Sequence, residues 1–269
     1  MSKKMLLAAA GLIFGLQSMN VMAASISAAT EAIQKQDYPT AIEELKELID
    51  EGNADATNLM GQLYENGWGV TQDTAKAKSL YERGARQGNI NSVNSLRKLK
   101  NIEYKVELDA LMPKVKAGDA SAQNRAGEMY EFGYGTERDG AMAFKLYQLA
   151  AEQGLVAAQH NLGRSYNFAT GTEQNFEEAE RWYRKAAKQG YTNSMFFLGT
   201  LYSNGYGKDS SHAQDIIAYA WMHNAAALGN GTAASIESRL LMKLQEGQMK
   251  EAQALAAEYA HDYVEPFKN

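Results

Sequence analysis

Ala56, Met60, Gly61 and Tyr64 recur along the chain as Ala122, Ala126, Gly127 and Tyr130, then as Ala158, Leu162, Gly163 and Tyr166, then as Ser194, Leu198, Gly199 and Tyr202. Steps of 4, 1 and 3 residues set each group on one face of a helix. A second helical pattern follows each: Ala77, Leu80, Tyr81, Gly84 and Ala85; Ala143, Leu146, Tyr147, Ala150 and Ala151; Ala179, Trp182, Tyr183, Ala186 and Ala187; Ala218, Trp221, Met222, Ala225 and Ala226. Large residues beside small ones let helices approach and interdigitate. Gly52, Gly88, Gly118, Gly154, Gly190 and Gly229 close successive blocks, giving units of 36, 30, 36, 36 and 39 residues. One helix pair of this length cannot bury its own apolar stripe, so the pairs must stack.

Between the two helices of a unit lies a glycine-bearing loop: Gly67-Trp68-Gly69-Val70, Gly133-Tyr134-Gly135 and Gly205-Tyr206-Gly207. A phosphate cradle would need a following GK[ST] and a preceding strand, and neither is present. The loops read instead as turns with positive φ at glycine, their aromatic residue covering the next repeat. The pattern A-x3-LG-x2-Y-x2-G-x-G followed by WY-x-KAA-x-QG resembles the Sel-one-like repeat (SLR) family, a branch of the tetratricopeptide-type solenoids. Leu162-Gly163, Tyr166, Gly171, Trp182-Tyr183 and Lys185 to Gly190 carry the resemblance best. Ala169 stands where the loop's first glycine would be, and three extra residues lie near Ser210.

The resemblance implies an all-α fold: a right-handed α-solenoid of stacked antiparallel helix pairs. Residues 24–51 are expected to form an N-terminal capping pair, with Asp37-Tyr38-Pro39 at its turn. The array runs over 52–229, as units 52–88, 89–118, 118–154, 154–190 and 190–229, and residues 230–269 supply capping helices and a tail. The 89–118 unit is short and lacks the loop. Leu96, Leu99, Leu108, Leu111 and Val115 keep helical spacing in it, so it reads as a degenerate repeat with Pro113 distorting or restarting its second helix.

Lys3 and Lys4, the apolar run from Met5 to Leu16 and Val21-Met22-Ala23 read as a signal peptide over 1–23, cut after Ala23, with Ala24 as the second choice. The apolar run is too short for a stable anchor. Export implies a periplasmic or secreted protein without stable membrane insertion. The chain has no cysteine, which excludes a lipidated anchor at that residue, a disulfide framework and thiolate chemistry. Removing 1–23 takes away two lysines and no acid, leaving 25 basic residues against 32 acidic ones, a balance that repels phosphate backbones and argues against nucleic acid.

No catalytic set emerges. His160, His212, His223 and His261 lack paired ligand spacing, so neither a metal nor a cofactor is expected. Ser95-Leu96-Arg97-Lys98 fits SxxK and Ser165-Tyr166-Asn167 resembles SxN, two elements of β-lactam-recognising enzymes, but KTG is absent and Tyr166 is the repeat tyrosine. What remains is surface. The resemblance places first helices on a concave side, where positions spared from packing make a stripe: Asn58, Gln62 and Glu65; Asn124, Glu128 and Glu131; His160, Arg164 and Asn167; Phe196, Thr200 and Ser203. The expected function is binding another protein or peptide there as a monomeric adaptor, with an immunity-type toxin inhibitor as alternative and a β-lactam-interacting enzyme as a remote one.

Overall fold

A computed structural model describes residues 26–268, and the segment expected to be cleaved lies outside them. Among the described residues the chain is an all-α solenoid of consecutive helix pairs, with no strand. Helix α1 covers residues 26–34. It is followed by α2 (Tyr38–Asp50), α3 (Ala54–Asn66), α4 (Thr74–Arg86), α5 (Ile90–Lys116), α6 (Ala120–Phe132) and α7 (Gly140–Glu152). Then come α8 (Val156–Phe168), α9 (Phe176–Ala187), α10 (Thr192–Ser203), α11 (Gln214–Ala227), α12 (Gly231–Leu241) and α13 (Glu246–Tyr263). Helix starts are written in the sequence: the side chains of Asp37, Asn53, Asp73, Asp119, Asp139, Asn175 and Asn230 each accept a hydrogen bond from a backbone N–H three residues on.

The chain divides into two compact units that part between residues 102 and 103. The division falls inside α5, where the expected degenerate helix pair is in fact one helix of 27 residues. The reason is local: residues 90–116 contain no glycine to open a turn, and Pro113 sits within the last turn, where losing one N–H and bending the axis cost little. The Ala117 N–H still reaches the Pro113 carbonyl at 3.0 Å. In the first unit Leu96 and Leu99 of α5 pack with Ala77 and Tyr81, while in the second Leu108, Leu111 and Val115 pack with Ala126, Met129 and Leu146.

The helix glycines show why the repeat keeps them. A Cβ on Gly61, Gly127 or Gly163 would come within 2.5, 2.7 and 2.7 Å of the rings of Tyr81, Tyr147 and Tyr183, which are fully buried. The ring of the second helix therefore lies directly on the backbone of the first. In the last repeat Met222 takes the ring's place over Gly199.

The loop aromatics reverse the expected direction of cover. Trp68 stacks on Tyr38 of α2, Tyr134 on Tyr104 of α5 and Tyr206 on Phe176 of α9, so each covers the helix before the one its loop follows rather than the next repeat. The cause is the turn, which carries positive φ at Gly67 and Gly69 and again at Gly133 and Gly135, folding the aromatic back toward the helix already laid down. Where Thr170 replaces the aromatic, Gly171 meets Gly140 backbone to backbone.

Candidate functional site

The expected stripe is not a free surface. Asn58, Asn124, Glu131, His160 and Asn167 are buried, and they form a polar seam inside each unit. In the first unit the Asn58 amide donates to Ser92 Oγ at 3.1 Å and accepts from Gln62, while Tyr81 O–H donates to the half-buried Glu65 at 2.5 Å. In the second, Asn124 donates to Glu128 and accepts from Asn161, both at 3.0 Å. Glu131 accepts from Tyr147 O–H at 2.7 Å and pairs with Arg164 at 3.2 Å. Burial first, then the Glu131 carboxylate, push the Tyr147 phenol above its ordinary range. Asn167 donates to the Tyr183 oxygen at 3.4 Å.

His160 Nδ1 shares a hydrogen bond of 2.9 Å with Ser194 Oγ, and its ring lies among Tyr183, Tyr191 and Phe197. Burial, aided by the nearby Arg164 charge, lowers its pKa to about 4, so the ring is neutral near pH 7. Phe196 is half-buried against the large C-terminal core, Thr200 is half-buried and bonds the Phe196 carbonyl at 3.0 Å, and Ser203 is exposed.

The outward face of the first helices is centred about 60° round the axis from the expected one. It runs through Asp55, Leu59, Gln62 and Asn66 in the first unit. In the second it runs through Ser121, Arg125, Glu128 and Phe132; Ala157, Asn161, Arg164 and Phe168; and Asn193, Phe197, Thr200 and Asn204. Only Gln62, Glu128, Arg164 and Thr200 belong to both stripes. Phe132 and Phe168 stand at the same helical position of consecutive repeats with 43% and 57% of their surface exposed. Arg125 makes a two-pronged bond to Glu107, at 2.6 and 3.1 Å, and a third to Glu128 at 3.1 Å. The signal that could have found the seam is the buried tyrosine of the second helices α4, α7 and α9, whose hydroxyl must reach a partner one turn past the helix glycine.

Beyond His160, the histidines pair singly: His212 with Glu251, His223 with Glu237 and His261 with Asp262. No group of three or more His, Cys, Asp or Glu side chains among the described residues could hold a metal. Of the serines in the β-lactam reading, Ser165 is buried and donates to the Asn161 carbonyl within its own helix, while Ser95 lies half-buried on α5. No helix among the described residues is long and apolar enough to cross a membrane.

The Sel1 repeat family model matches residues 54–89, 120–155, 156–191 and 192–230, more than half of the chain. The chain belongs to the Sel1 repeat family. Among solved structures, it is similar to c5321, a protective antigen of uropathogenic Escherichia coli strains with an SLR fold, at 25% identity and a TM-score of 0.54. That match covers 90% of this chain and 54% of the antigen, so the chain spans about half the antigen's length. A Sel1 repeat protein from Oxalobacter formigenes is 24% identical over 87% of this chain and 84% of its own, with a TM-score of 0.43. An immunity protein from Pseudomonas aeruginosa is 17% identical over 88% and 83%, with a TM-score of 0.32. No curated protein matches the chain. The Sel1 repeats matched here supply a protein-interaction scaffold, and the four matched segments omit α5, whose single helix lacks the loop.

Proposed function

We propose that this Sel1 repeat protein is an exported, monomeric adaptor that binds another protein or peptide on the outward face of its first helices and performs no chemistry of its own. The observation that carries the reading is the pair Phe132 and Phe168, large apolar rings exposed at one helical position in consecutive repeats. Partly exposed Arg125, Glu128 and Arg164 beside them can fix register, while exposed aromatics supply most of the affinity at such faces. The basic start and apolar run before Ala23 support export.

Photo-cross-linking in the native host tests both parts. A cross-linking residue placed at 132 or 168 is expected to yield one discrete set of protein adducts in the periplasmic or secreted fraction, and one placed at exposed Lys145 on α7 is not. Equal adducts from all three positions, or none from 132 and 168, would refute the binding face. Mature protein retained in the cytoplasm would refute export.

A further inference from the structure

We propose that the C-terminal end of α10 carries a two-part groove for an extended peptide segment of a partner protein, one that offers a carboxylate side chain close to an apolar one. This rests on the adaptor reading and names the chemistry of its partner. Two cavities, of about 310 and 340 Å³, open on either side of the same two residues, Thr200 and Asn204, which lie one turn apart on α10. The first has an apolar floor of Met222, Ile236 and Leu240, and Arg239 and Lys243 on its rim. The second is walled by Phe168, Phe176 and Tyr206, of which Phe176 and Tyr206 stack at 4.2 Å with planes 5° apart.

The charge of the first cavity runs against that of the chain. The protein has 32 acidic residues against 27 basic, yet no acidic side chain lines either cavity. Arg239 and Lys243 are both exposed, and neither has an ion-pair partner among the described residues. Two uncompensated cations over an apolar floor suit a carboxylate whose neighbour buries apolar surface.

The groove is open because the last repeat departs from the others. Earlier repeats fill the corresponding place with a tyrosine whose oxygen bonds Glu65, Glu131 or Asn167. Here Met222 has no hydroxyl and Ser203 stays exposed. An extended segment crossing the end of α10 advances about 3.3 Å per residue, so a carboxylate and an apolar side chain a few residues apart reach the two cavities together. Residues 1–25 contain no Asp or Glu, so they cannot supply the carboxylate side chain, whereas an acidic partner can.

Selection of random peptides displayed on phage, against the full chain, tests the groove. The expected result is enrichment of Asp or Glu near Phe, Leu or Tyr, with affinity falling roughly tenfold or more in Arg239→Glu/Lys243→Glu. Selection on that double variant should instead enrich Lys or Arg, a reversal that a loss of structure would not produce, and Phe168→Ser should weaken the wild-type peptides through the second cavity. Circular dichroism confirms that both variants stay folded. No binders, no acidic enrichment, or the same acidic peptides on the double variant would overturn the proposal. Self-association of the wild type that the double variant abolishes would also overturn it, in favour of a second copy as occupant. If cross-links from 132 and 168 persist while acidic peptides fail, the groove is wrong and the adaptor face stands. If acidic peptides bind, 168 cross-links and 132 does not, the groove stands and the face around Phe132 is wrong.

Discussion

The third and fourth repeats build the same kind of helix pair but stabilise it differently. In the third, α8 and α9 join through Tyr183 on Gly163, with buried His160 and Asn167 on the seam. In the fourth, α10 and α11 meet through Met222 on Gly199, and Phe196 stands where His160 would be. The polar contacts of the fourth centre instead on the preceding helix: buried Glu180 of α9 accepts from the buried Tyr202 O–H, from Arg184 and from the Lys208 N–H, and Arg184 also reaches Asp209. Arg184 lies over the Trp221 ring at 5.2 Å. The repeat therefore fixes a shape, a bulky side chain on a bare helix backbone, and leaves open whether hydroxyls or aliphatic atoms fill it.

The largest expected difference between the two repeats is their response to acid. His160 titrates at about 4 in the folded chain, against 6.5 for an ordinary histidine, because burial and then Arg164 disfavour its charge. The unfolded chain takes up the proton first as pH falls, so this contribution is whole above 6.5 and is lost between 6.5 and 4, at about 1.4 kcal/mol per unit and about 3 kcal/mol in all. His160→Asn places in the third repeat the residue found at 58 and 124, and removes that loss. Urea unfolding of both proteins at pH 7 and 4.5 measures it. Parallel losses would mean that His160 is not the titrating group.

Next in size is the test of ring against thioether. A methyl on Gly163 would sit 2.7 Å from Cδ1 and 2.8 Å from Cε1 of a fully buried Tyr183, and neither ring nor helix can move away. Gly163→Ala should cost about 2 kcal/mol by overpacking. On Gly199 the same methyl meets Cε, Cγ and Sδ of Met222, at 2.9, 2.9 and 3.1 Å, in a side chain that can rotate. The better helix propensity of alanine, about 1 kcal/mol, then offsets the crowding and stability changes by less than about 1 kcal/mol. Equal costs at the two sites, measured by urea unfolding, would show that Met222 is held as rigidly as a ring.

These contrasts mark what the sequence makes legible. The helix pairs and the helix glycines follow from period and size, so Gly127 and Tyr147 read correctly without coordinates. The binding stripe does not, because a polar residue one position from an apolar face can turn either to solvent or to a neighbouring helix. Asn58 and Leu59 differ by about 100° on α3, and the repeat pattern puts Asn58 on the exposed stripe, yet the structure buries Asn58 against Ser92 and leaves Leu59 partly buried beside the core. Helix α5 was illegible for a related reason. Its leucines keep a helical period throughout, and a period alone does not tell one long helix from two short ones.

The smallest contrast isolates backbone strain from packing. Ala169 ends α8 with φ 56° and ψ 36°, a left-handed conformation that the equivalent Gly205 adopts with φ 76° after α10. An L-residue with a Cβ pays about 1–2 kcal/mol there, while its replacement by glycine recovers only part of that, because glycine leaves the unfolded chain freer. Ala169→Gly should therefore stabilise the protein by about 0.5–1 kcal/mol. Gly205→Ala should destabilise it by a similar amount, because a Cβ on Gly205 meets no atom within 4 Å and only the dihedral resists. Chemical unfolding read together with hydrogen exchange at the two helix ends decides it. If neither substitution changes stability, the third-repeat turn relaxes out of the left-handed region and the two loops are not equivalent.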